Sequence, residues 1–153
     1  MERTRIEELD ERLSAEVIKA EIAAAESKQT ANEASHGMAT SYSVAGDVEH
    51  AKNSALLSLE RLSALKKLKK EVDEALNNKA PEIVEPVCFI EISFSDGKKS
   101  EFYFVNNSAY ISGLDFISPD SILGKAIIGN SIGDSFSYSV GEQRFSGVIT
   151  AIF

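Results

Sequence analysis

Residues 36–43 read His-Gly-Met-Ala-Thr-Ser-Tyr-Ser, and they interrupt an apolar pattern that runs on both sides of them. Apolar residues at near-heptad spacing predict one helix over residues 4–36 and a second over residues 46–77. Because a short link between helices of nearly equal length makes them antiparallel neighbours, residues 1–80 are predicted to form an α-helical hairpin. The first stripe consists of Ile6, Leu9, Leu13, Val17, Ala20, Ala24 and Ala31, and the second of Val48, Ala51, Ala55, Leu59, Leu62, Leu65, Val72 and Leu76.

The two predicted helices contain no proline and are rich in alanine, leucine, glutamate and lysine, which are strong helix formers. At about 1.5 Å per residue, each would be roughly 45 Å long, so the hairpin forms an arm. Its stripe changes from leucine, isoleucine and valine near the chain ends to alanine, serine and asparagine near the bend. Small residues bury less apolar area, so the distal half of the arm is expected to be slimmer and more mobile. The alternative is a dimerising coiled coil, whose seam would be leucine or isoleucine throughout.

Residues 81–153 have the pattern of a small antiparallel sheet with one helix, which makes the chain an α+β protein with predicted domains at 1–80 and 81–153. Pro81 and Pro86 mark the linker. Strands are predicted on both sides of the turn Asp96-Gly97, over 87–95 and 101–105, and again over 135–140 and 145–153. Ser118 is predicted to cap a helix that ends at Gly129. Its inward residues are Ile122, Leu123, Ala126 and Ile127.

Composition excludes several classes of protein. The net charge is −8, from 12 basic against 15 acidic residues in 1–80 and 4 against 9 in 81–153, which argues against binding by phosphate neutralisation. No apolar run is long enough to span a bilayer, and no signal peptide follows the start. The lone cysteine, Cys88, lies in an apolar run and is predicted to be a buried thiol. His36 and His50 lack partners at zinc-ligand spacing, and no phosphate loop or nucleophile elbow is present, so a self-contained enzyme is not expected.

The predicted bend of the hairpin carries the one cluster with chemical potential. Asp47 and Glu49 lie where the second helix is predicted to begin, with Glu33 and His36 opposite them. Exposed carboxylates at a tip can share a Mg²⁺ that is held mainly elsewhere. The alternative is that acids in a first helical turn simply complement the helix dipole.

A motif in the C-terminal half suggests a family. Residues 117–129 read Ile-Ser-Pro-Asp-Ser-Ile-Leu-Gly-Lys-Ala-Ile-Ile-Gly, and Gly133-Asp134 follows. This resembles the C-terminal signature of the Gre transcript-cleavage factors, SP-x-S-x-(L/I)-G-(K/R)-A-(L/I)-(L/I)-G, a short gap and G-D. Ala45-Gly46-Asp47 resembles the Gly-Asp at the tip of the Gre arm. The resemblance covers the whole architecture and is detailed at motif level over residues 117–134.

The resemblance implies an FKBP-like fold for residues 81–153, with which Gre factors grip the rim of the secondary channel of bacterial RNA polymerase. The docking residues that it carries over are Ser118, Pro119, Ser121, Gly124, Lys125, Gly133 and Asp134. The arm would enter the channel, where two tip acids support a second catalytic Mg²⁺ and stimulate hydrolysis of backtracked RNA. Asp47 matches the first acid, but at the family's three-residue spacing the second falls on His50. Glu49 is the candidate substitute, although one residue earlier on a helix points about 100° away.

The resulting expectation is a cytoplasmic transcription elongation factor with no intrinsic cofactor, which shares Mg²⁺ with the polymerase. It would meet backtracked RNA only indirectly and bind neither membrane nor specific DNA. Two alternatives stay open: a regulator that occupies the channel without stimulating cleavage, and an adaptor that uses the hairpin to bind proteins. A peptidyl-prolyl isomerase is suggested only by the FKBP-like fold, and fold does not imply activity.

Two further groups are candidates for contacts. Four lysines near the base of the hairpin, Lys66, Lys67, Lys69 and Lys70, are predicted to be a solvated face that shields the seam, and could instead contact RNA or an acidic polymerase surface. Tyr103 and Tyr110 could help to dock the C-terminal half, although aromatic residues in a small sheet are usually core.

Overall fold

The computed structural model describes residues 3–36 and 42–153, and the side chains of residues 34–36, 42–45 and 47 lie outside this description. Two long antiparallel helices, α1 (Thr4–His36) and α2 (Tyr42–Leu76), form the arm. The first helix has the predicted bounds. The second begins four residues before the predicted residue 46, because Gly46 alone in a helical sequence costs only about 1 kcal/mol and does not end it. Of the described part of the chain, no helix is long and apolar enough to cross a membrane.

The predicted seam of the arm is confirmed along most of its length. Leucine and isoleucine side chains near the base are fully buried, and Ala20, Ala24 and Ala31 continue the seam toward the tip. Leu59 is an exception, since the side chain is 49% exposed. Ser58 takes its place and shares a hydrogen bond of 3.1 Å with Ser27 across the seam. The apolar pattern placed the seam one residue too late here. The true seam position is a serine, so the nearest apolar residue, Leu59, was taken instead.

The second half contains five strands and one short helix. In chain order these are β1 (Cys88–Phe94), β2 (Lys99–Phe104), β3 (Phe116–Ile117), α3 (Ile122–Ile127), β4 (Ser135–Val140) and β5 (Gln143–Ile152). The strands form one sheet in the order β3-β2-β1-β5-β4. The predicted turn at Asp96-Gly97 joins β1 to β2, with Gly97 at a φ of 88°.

The sheet differs from the prediction in one pairing. Three pairings are antiparallel, but β3 runs parallel to β2, with Tyr103 opposite Phe116 and Phe104 opposite Ile117. The sheet is therefore mixed. The long loop 105–115 carries the chain back beside the last two residues of β2 before β3 begins, and a parallel pair requires such a crossover.

Helix α3 begins later than its sequence indicates. Its N-cap is Ser121, whose Oγ accepts a hydrogen bond from the backbone N–H of Gly124 at 3.0 Å, so the prediction that Ser118 is the cap was wrong. Ser118 instead accepts from the backbone N–H and the Oγ of Ser121 in the preceding turn. With this later start, Ile127 is buried as predicted, but Ile122 is the first residue of the helix and its side chain is 55% exposed.

The sheet buries both of its faces. One face packs its Phe89, Tyr103 and Val105 against the base of the arm, in a single cluster with Ile6, Leu9, Leu13, Leu65, Leu68 and Val72. The other face packs around Ile90, Phe104 and Phe136 under α3. The arm and the sheet thus share one continuous apolar core at the base of the hairpin.

Arg3 lies within this junction and is 6% exposed. Its guanidinium donates to the backbone carbonyl oxygens of Ala75 at 2.9 Å, Val87 at 2.5 Å and Phe153 at 3.4 Å. Burial lowers its pKa below the ordinary value, and the nearby Cys88 opposes that shift. One side chain therefore connects the end of α2, the start of β1 and the end of β5.

The loop 105–115 is attached to the arm by three polar side chains. Glu71 accepts hydrogen bonds from the backbone N–H groups of Asn106 and Asn107, at 2.6 and 2.8 Å. Arg61 donates to the carbonyl oxygen of Tyr110 at 2.7 Å, and Arg12 donates to that of Ser112 at 3.0 Å. These contacts hold the loop along the lower third of the arm.

Candidate functional site

Two acids of the arm lie near the end that is farthest from the sheet. Asp47 and Glu49 belong to α2, and because this helix begins at Tyr42 neither lies in its first turn. The stabilisation that a helix dipole gives to an acid falls off within that turn. The helix dipole therefore stabilises these two acids less than the sequence suggested.

The helical backbone decides which of these groups share a face. Successive residues in an α-helix are about 100° apart, so Asp47 and Glu49, two positions apart, point about 200° from one another. Asp47 and His50, three positions apart, lie on one face. Glu49 and His50 are both exposed to solvent. Positions 47 and 50 of α2 therefore share a face of the helix, and position 49 lies on another.

On the opposite helix, Glu33 is exposed and accepts a hydrogen bond from Nε2 of Gln29 at 3.0 Å. The side chains of His36 and Asp47 lie outside the description, so the predicted pairing of these groups across the tip remains a prediction. No group of three His, Cys, Asp or Glu side chains within 3–36 and 42–153, where described, is arranged to hold a metal ion.

A second candidate surface is the segment 117–134, which we call the docking segment. Most of its predicted docking residues lie in or beside two tight turns, one before α3 and one before β4. Ser118 and Ser121 form the turn before α3, and the first of them lies against Gly124. A Cβ atom on Gly124 would lie only 1.8 Å from the carbonyl oxygen of Ser118. Glycine at this position is therefore required by close packing, because any side chain would push the helix off the turn.

The other end of the docking segment is held in the same way. Gly129 and Gly133 have φ angles of 82° and 90°, which favour glycine. The Oδ2 of Asp134 accepts from the backbone N–H of Ser131 at 2.8 Å, and the N–H of Gly133 donates to the carbonyl oxygen of Ile149. Ser121, Gly124, Gly133 and Asp134 thus shape the segment, whereas Lys125 is exposed and free to meet a partner.

The apolar groups that the docking segment presents were not identified from the sequence. Ile122, Ile128 and Ile132 are 55%, 48% and 60% exposed. These three large aliphatic side chains are available for contact with a partner. A signal was present, since four isoleucines in 117–128 exceed what one face of a six-residue helix can bury, but the misplaced cap assigned Ile122 to the core.

Of the lysines and tyrosines considered for contacts, some are held within the protein and others are exposed. Lys69 is committed to Asp10 at 2.7 Å and Asp73 at 2.5 Å. Burial would lower the pKa of Lys69, but hydrogen bonds to these two carboxylates raise it above the ordinary value. Tyr103 is core, as its ring meets Phe89 edge-on at 4.9 Å. Tyr110 is 78% exposed on the loop 105–115 and is available to a partner.

Comparison with known proteins adds the following. Solved structures that resemble this chain include Gre-type factors. They include the GreA factor homolog 1 (Gfh1) protein of Thermus thermophilus, at 16% identity and a TM-score of 0.41 over 94% of both chains. Gfh1 of Thermus aquaticus is 18% identical in sequence, with a TM-score of 0.42, over 93% of this chain and 92% of that one. A transcription elongation factor GreA/GreB from Nitrosomonas europaea is 18% identical in sequence, with a TM-score of 0.41, over 58% of this chain and 78% of that one.

No family model matches the chain, and no curated protein does. At these identities and TM-scores the structural likeness carries no argument about function. A functional proposal therefore rests on the residues of the arm and of the docking segment.

Proposed function

We propose that this chain is a bacterial RNA-polymerase accessory factor whose arm enters the secondary channel and presents Asp47 near the catalytic Mg²⁺. The observation that carries the proposal is the placement of Asp47 and Glu49 beyond the first turn of α2, at the far end of a helical hairpin about 50 Å long. Carboxylates in that position contribute little to the helix and are available to a partner. A narrow arm is the shape that a confined channel accepts.

The docking segment supports the second half of the proposal. It is rigid, because Gly124 packs on Ser118 and Asp134 closes its last turn, and it exposes Ile122, Ile128 and Ile132 beside Lys125. A rigid apolar patch with a cation at its side is suited to a stable protein contact. In this proposal the segment binds the channel rim and thereby fixes how deep the arm reaches.

The chemistry expected at the tip follows from the helical geometry. A carboxylate oxygen is a suitable ligand for Mg²⁺, and Asp47 supplies one. The ion would lend its positive charge to activate the attacking water and stabilise the leaving oxygen during RNA hydrolysis. His50 lies on the same face as Asp47, where a second carboxylate would otherwise stand, while Glu49 points away. We therefore expect the factor to stimulate cleavage weakly.

The first experiment measures binding and RNA cleavage together on backtracked elongation complexes of bacterial RNA polymerase in Mg²⁺. We expect the wild-type chain to bind and to stimulate cleavage weakly, and Asp47→Ala to bind equally well without stimulating cleavage. Glu60→Ala is the matched control, because Glu60 is an exposed acid elsewhere on α2. Absence of binding by the wild-type chain at micromolar concentration would overturn the proposal. Binding without any cleavage would leave a regulator that only occupies the channel.

A gain-of-function variant tests the tip more directly. His50→Glu places a second carboxylate on the face of Asp47, three residues away. We expect cleavage to rise by about tenfold, which corresponds to roughly 1.4 kcal/mol of transition-state stabilisation. His50→Gln has the same shape without the charge and should leave the rate unchanged. An equal rise in both variants would show that the imidazole merely obstructs the site and that the added charge is irrelevant.

The docking segment has its own test. The double variant Ile128→Ser/Ile132→Ser removes two exposed isoleucines and should weaken polymerase binding by about tenfold or more, since large residues at interface centres dominate binding. Val148→Ser removes another exposed aliphatic side chain, which lies outside the segment, and should bind as the wild type does. Equal losses in both variants would point to a general effect on stability.

An adaptor function is the second candidate, and a specific observation favours it. Five large aliphatic side chains on the arm are exposed, namely Ile18, Ile22, Leu56, Leu57 and Leu59. They lie outside the seam and could bind another protein along the flank of the hairpin. In that case binding would depend on Ile18 and Ile22 and would be indifferent to Asp47→Ala.

A further inference from the structure

The sheet ends on a strand that has one neighbour. In the order β3-β2-β1-β5-β4, the last strand pairs with β5 over all six of its residues, and nothing in the described part of the chain pairs with its other side. The opposite edge is protected by its length, since β3 has only two residues. A complete strand at an edge offers a row of backbone donors and acceptors to any strand that can align with it.

The register identifies the residues that carry this row. In an antiparallel pair, facing residues alternate between exchanging hydrogen bonds and pointing these groups outward. Ser146 stands opposite Ser137, and its carbonyl oxygen accepts from the N–H of Ser95, on the β1 side of the sheet. Ser146 therefore does not bond Ser137, whose N–H and C=O point away from β5. By alternation the same holds for Ser135 and Ser139, and all three serine side chains are exposed.

The edge strand lacks the sequence features that usually prevent strand addition. Natural edges are blocked by lysine, proline, inward-pointing charges or a β-bulge. The strand reads Ser-Phe-Ser-Tyr-Ser-Val, with no charge and no proline, and its register with β5 has no bulge. The nearest acid before it, Asp134, is engaged by the N–H of Ser131.

The strand also matches itself. An antiparallel pairing centred on Ser137 places Ser135 opposite Ser139 of a second copy, and the outward groups of both strands then meet in about six hydrogen bonds. Phe136 comes to lie beside Tyr138 of that copy, on the face that already carries the stacked rings of Tyr138 and Phe145. Aromatic neighbours across strands stabilise a pair, and no like charges face one another.

We propose that β4 pairs with β4 of a second copy of this chain, joining the two sheets into one continuous sheet around a twofold axis at Ser137. Val140, which is 49% exposed, becomes partly covered in this arrangement. The net charge of −8 on each copy opposes association only through long-range repulsion, which salt screens over about 8 Å at physiological strength. Association should therefore become tighter as salt is added.

The test is the oligomeric state of the full chain alone, measured by sedimentation over protein concentrations from about 1 to about 500 micromolar. Ser137→Pro is the key variant. Proline removes the outward N–H of residue 137 and leaves the β4–β5 ladder intact, since edge strands tolerate proline where the N–H faces solvent. We expect a dimer for the wild type and for Ser137→Ala, which keeps the N–H. For Ser137→Pro we expect dissociation to become at least about tenfold easier.

Hydrogen exchange provides a readout that does not depend on the variant. In the wild-type chain, the amides of Ser135, Ser137 and Ser139 should exchange more slowly as concentration rises, whereas those of Phe136 and Tyr138 should not change. A wild type that stays monomeric throughout, a Ser137→Pro variant that still dimerises, or serine amides indifferent to concentration would each overturn the proposal. The measurement needs no polymerase, so its outcome is independent of the proposed function.

Discussion

At the scale of single residues, Gly124 is constrained by the close approach of Ser118. We expect Gly124→Ala to lower the free energy of unfolding by about 1–3 kcal/mol, the usual cost of forcing an extra methyl group into a filled space. Gly46→Ala is the matched control, because a Cβ atom there meets no described atom within 4 Å and α2 is helical at this point. It should be neutral or stabilising by up to about 1 kcal/mol. Chemical denaturation of both variants measures the difference.

Cys88 gives a prediction about reactivity and pH. Burial raises the pKa of its thiol to about 12 from an ordinary value of 9.0. The folded protein thus holds a proton that the unfolded chain releases above pH 9, so stability should fall as pH rises from about 9 toward 12. At pH 8 a thiol reagent should label the native chain only through unfolding. Labelling of the folded protein at the rate of a free thiol would contradict the buried placement.

Arg3 acts at the scale of elements, because it connects α2, β1 and β5. Arg3→Met retains most of the length and leaves the carbonyl oxygen of Val87 without its donor, whereas those of Ala75 and Phe153 keep backbone N–H donors. We therefore expect a loss of about 1–3 kcal/mol in the free energy of unfolding. Arg5→Met is the comparison. Arg5 lies 5.0 Å from the centre of the Phe89 ring and pairs with Glu8 at 3.7 Å in solvent, contacts that contribute about 1 kcal/mol or less. Equal losses would show that Arg3 contributes no more than a surface cation.

The arm should be unevenly stable along its length. Near the base the seam holds Leu9, Leu13, Leu65 and Val72, whereas toward the tip it holds alanines and the Ser27–Ser58 pair. Less apolar area is buried there, so local opening costs less. In native-state hydrogen exchange, amides near Ala24 and Ala55 should exchange by about tenfold or more faster than those near Leu13 and Leu65. Uniform protection along both helices would refute this gradient.

The whole molecule is expected to unfold in one step. The arm base and one face of the sheet share a core, and the loop 105–115 is hydrogen-bonded to Glu71, Arg61 and Arg12. Such contacts make two structural units depend on each other, even though the sequence predicts two domains. Calorimetry should show a single transition whose calorimetric and van't Hoff enthalpies agree. Two separated transitions would show that the arm and the sheet fold independently.

Sequence reasoning reached the architecture because it depends on repeated local signals. The heptad stripe was placed correctly except at Leu59, and the Asp96-Gly97 turn joins two strands as predicted; both signals act over a few residues. It failed where geometry is set by contacts distant in sequence. The shift of the helix cap to Ser121 depends on how Gly124 meets Ser118, and the parallel β3 depends on how the loop 105–115 attaches to the arm. The local sequence around Arg3 does not predict that its side chain is buried.

The candidate sites show the same division. Asp47 was predicted from its place near the bend and from a short motif, and its role stays a prediction. The exposed isoleucines of the docking segment were missed, because whether an apolar residue in a short helix faces in or out depends on where that helix starts. The edge strand β4 was predicted as a strand, but its position at the edge follows only from the order of the sheet.

The alanine-rich distal seam has a consequence for how such a protein can change over evolutionary time. Because little of the folding free energy is stored there, most substitutions near the bend leave the molecule folded, whereas substitutions at the base do not. Natural variation can therefore explore new chemistry at the tip, such as the histidine at position 50, while the attachment to the sheet is preserved.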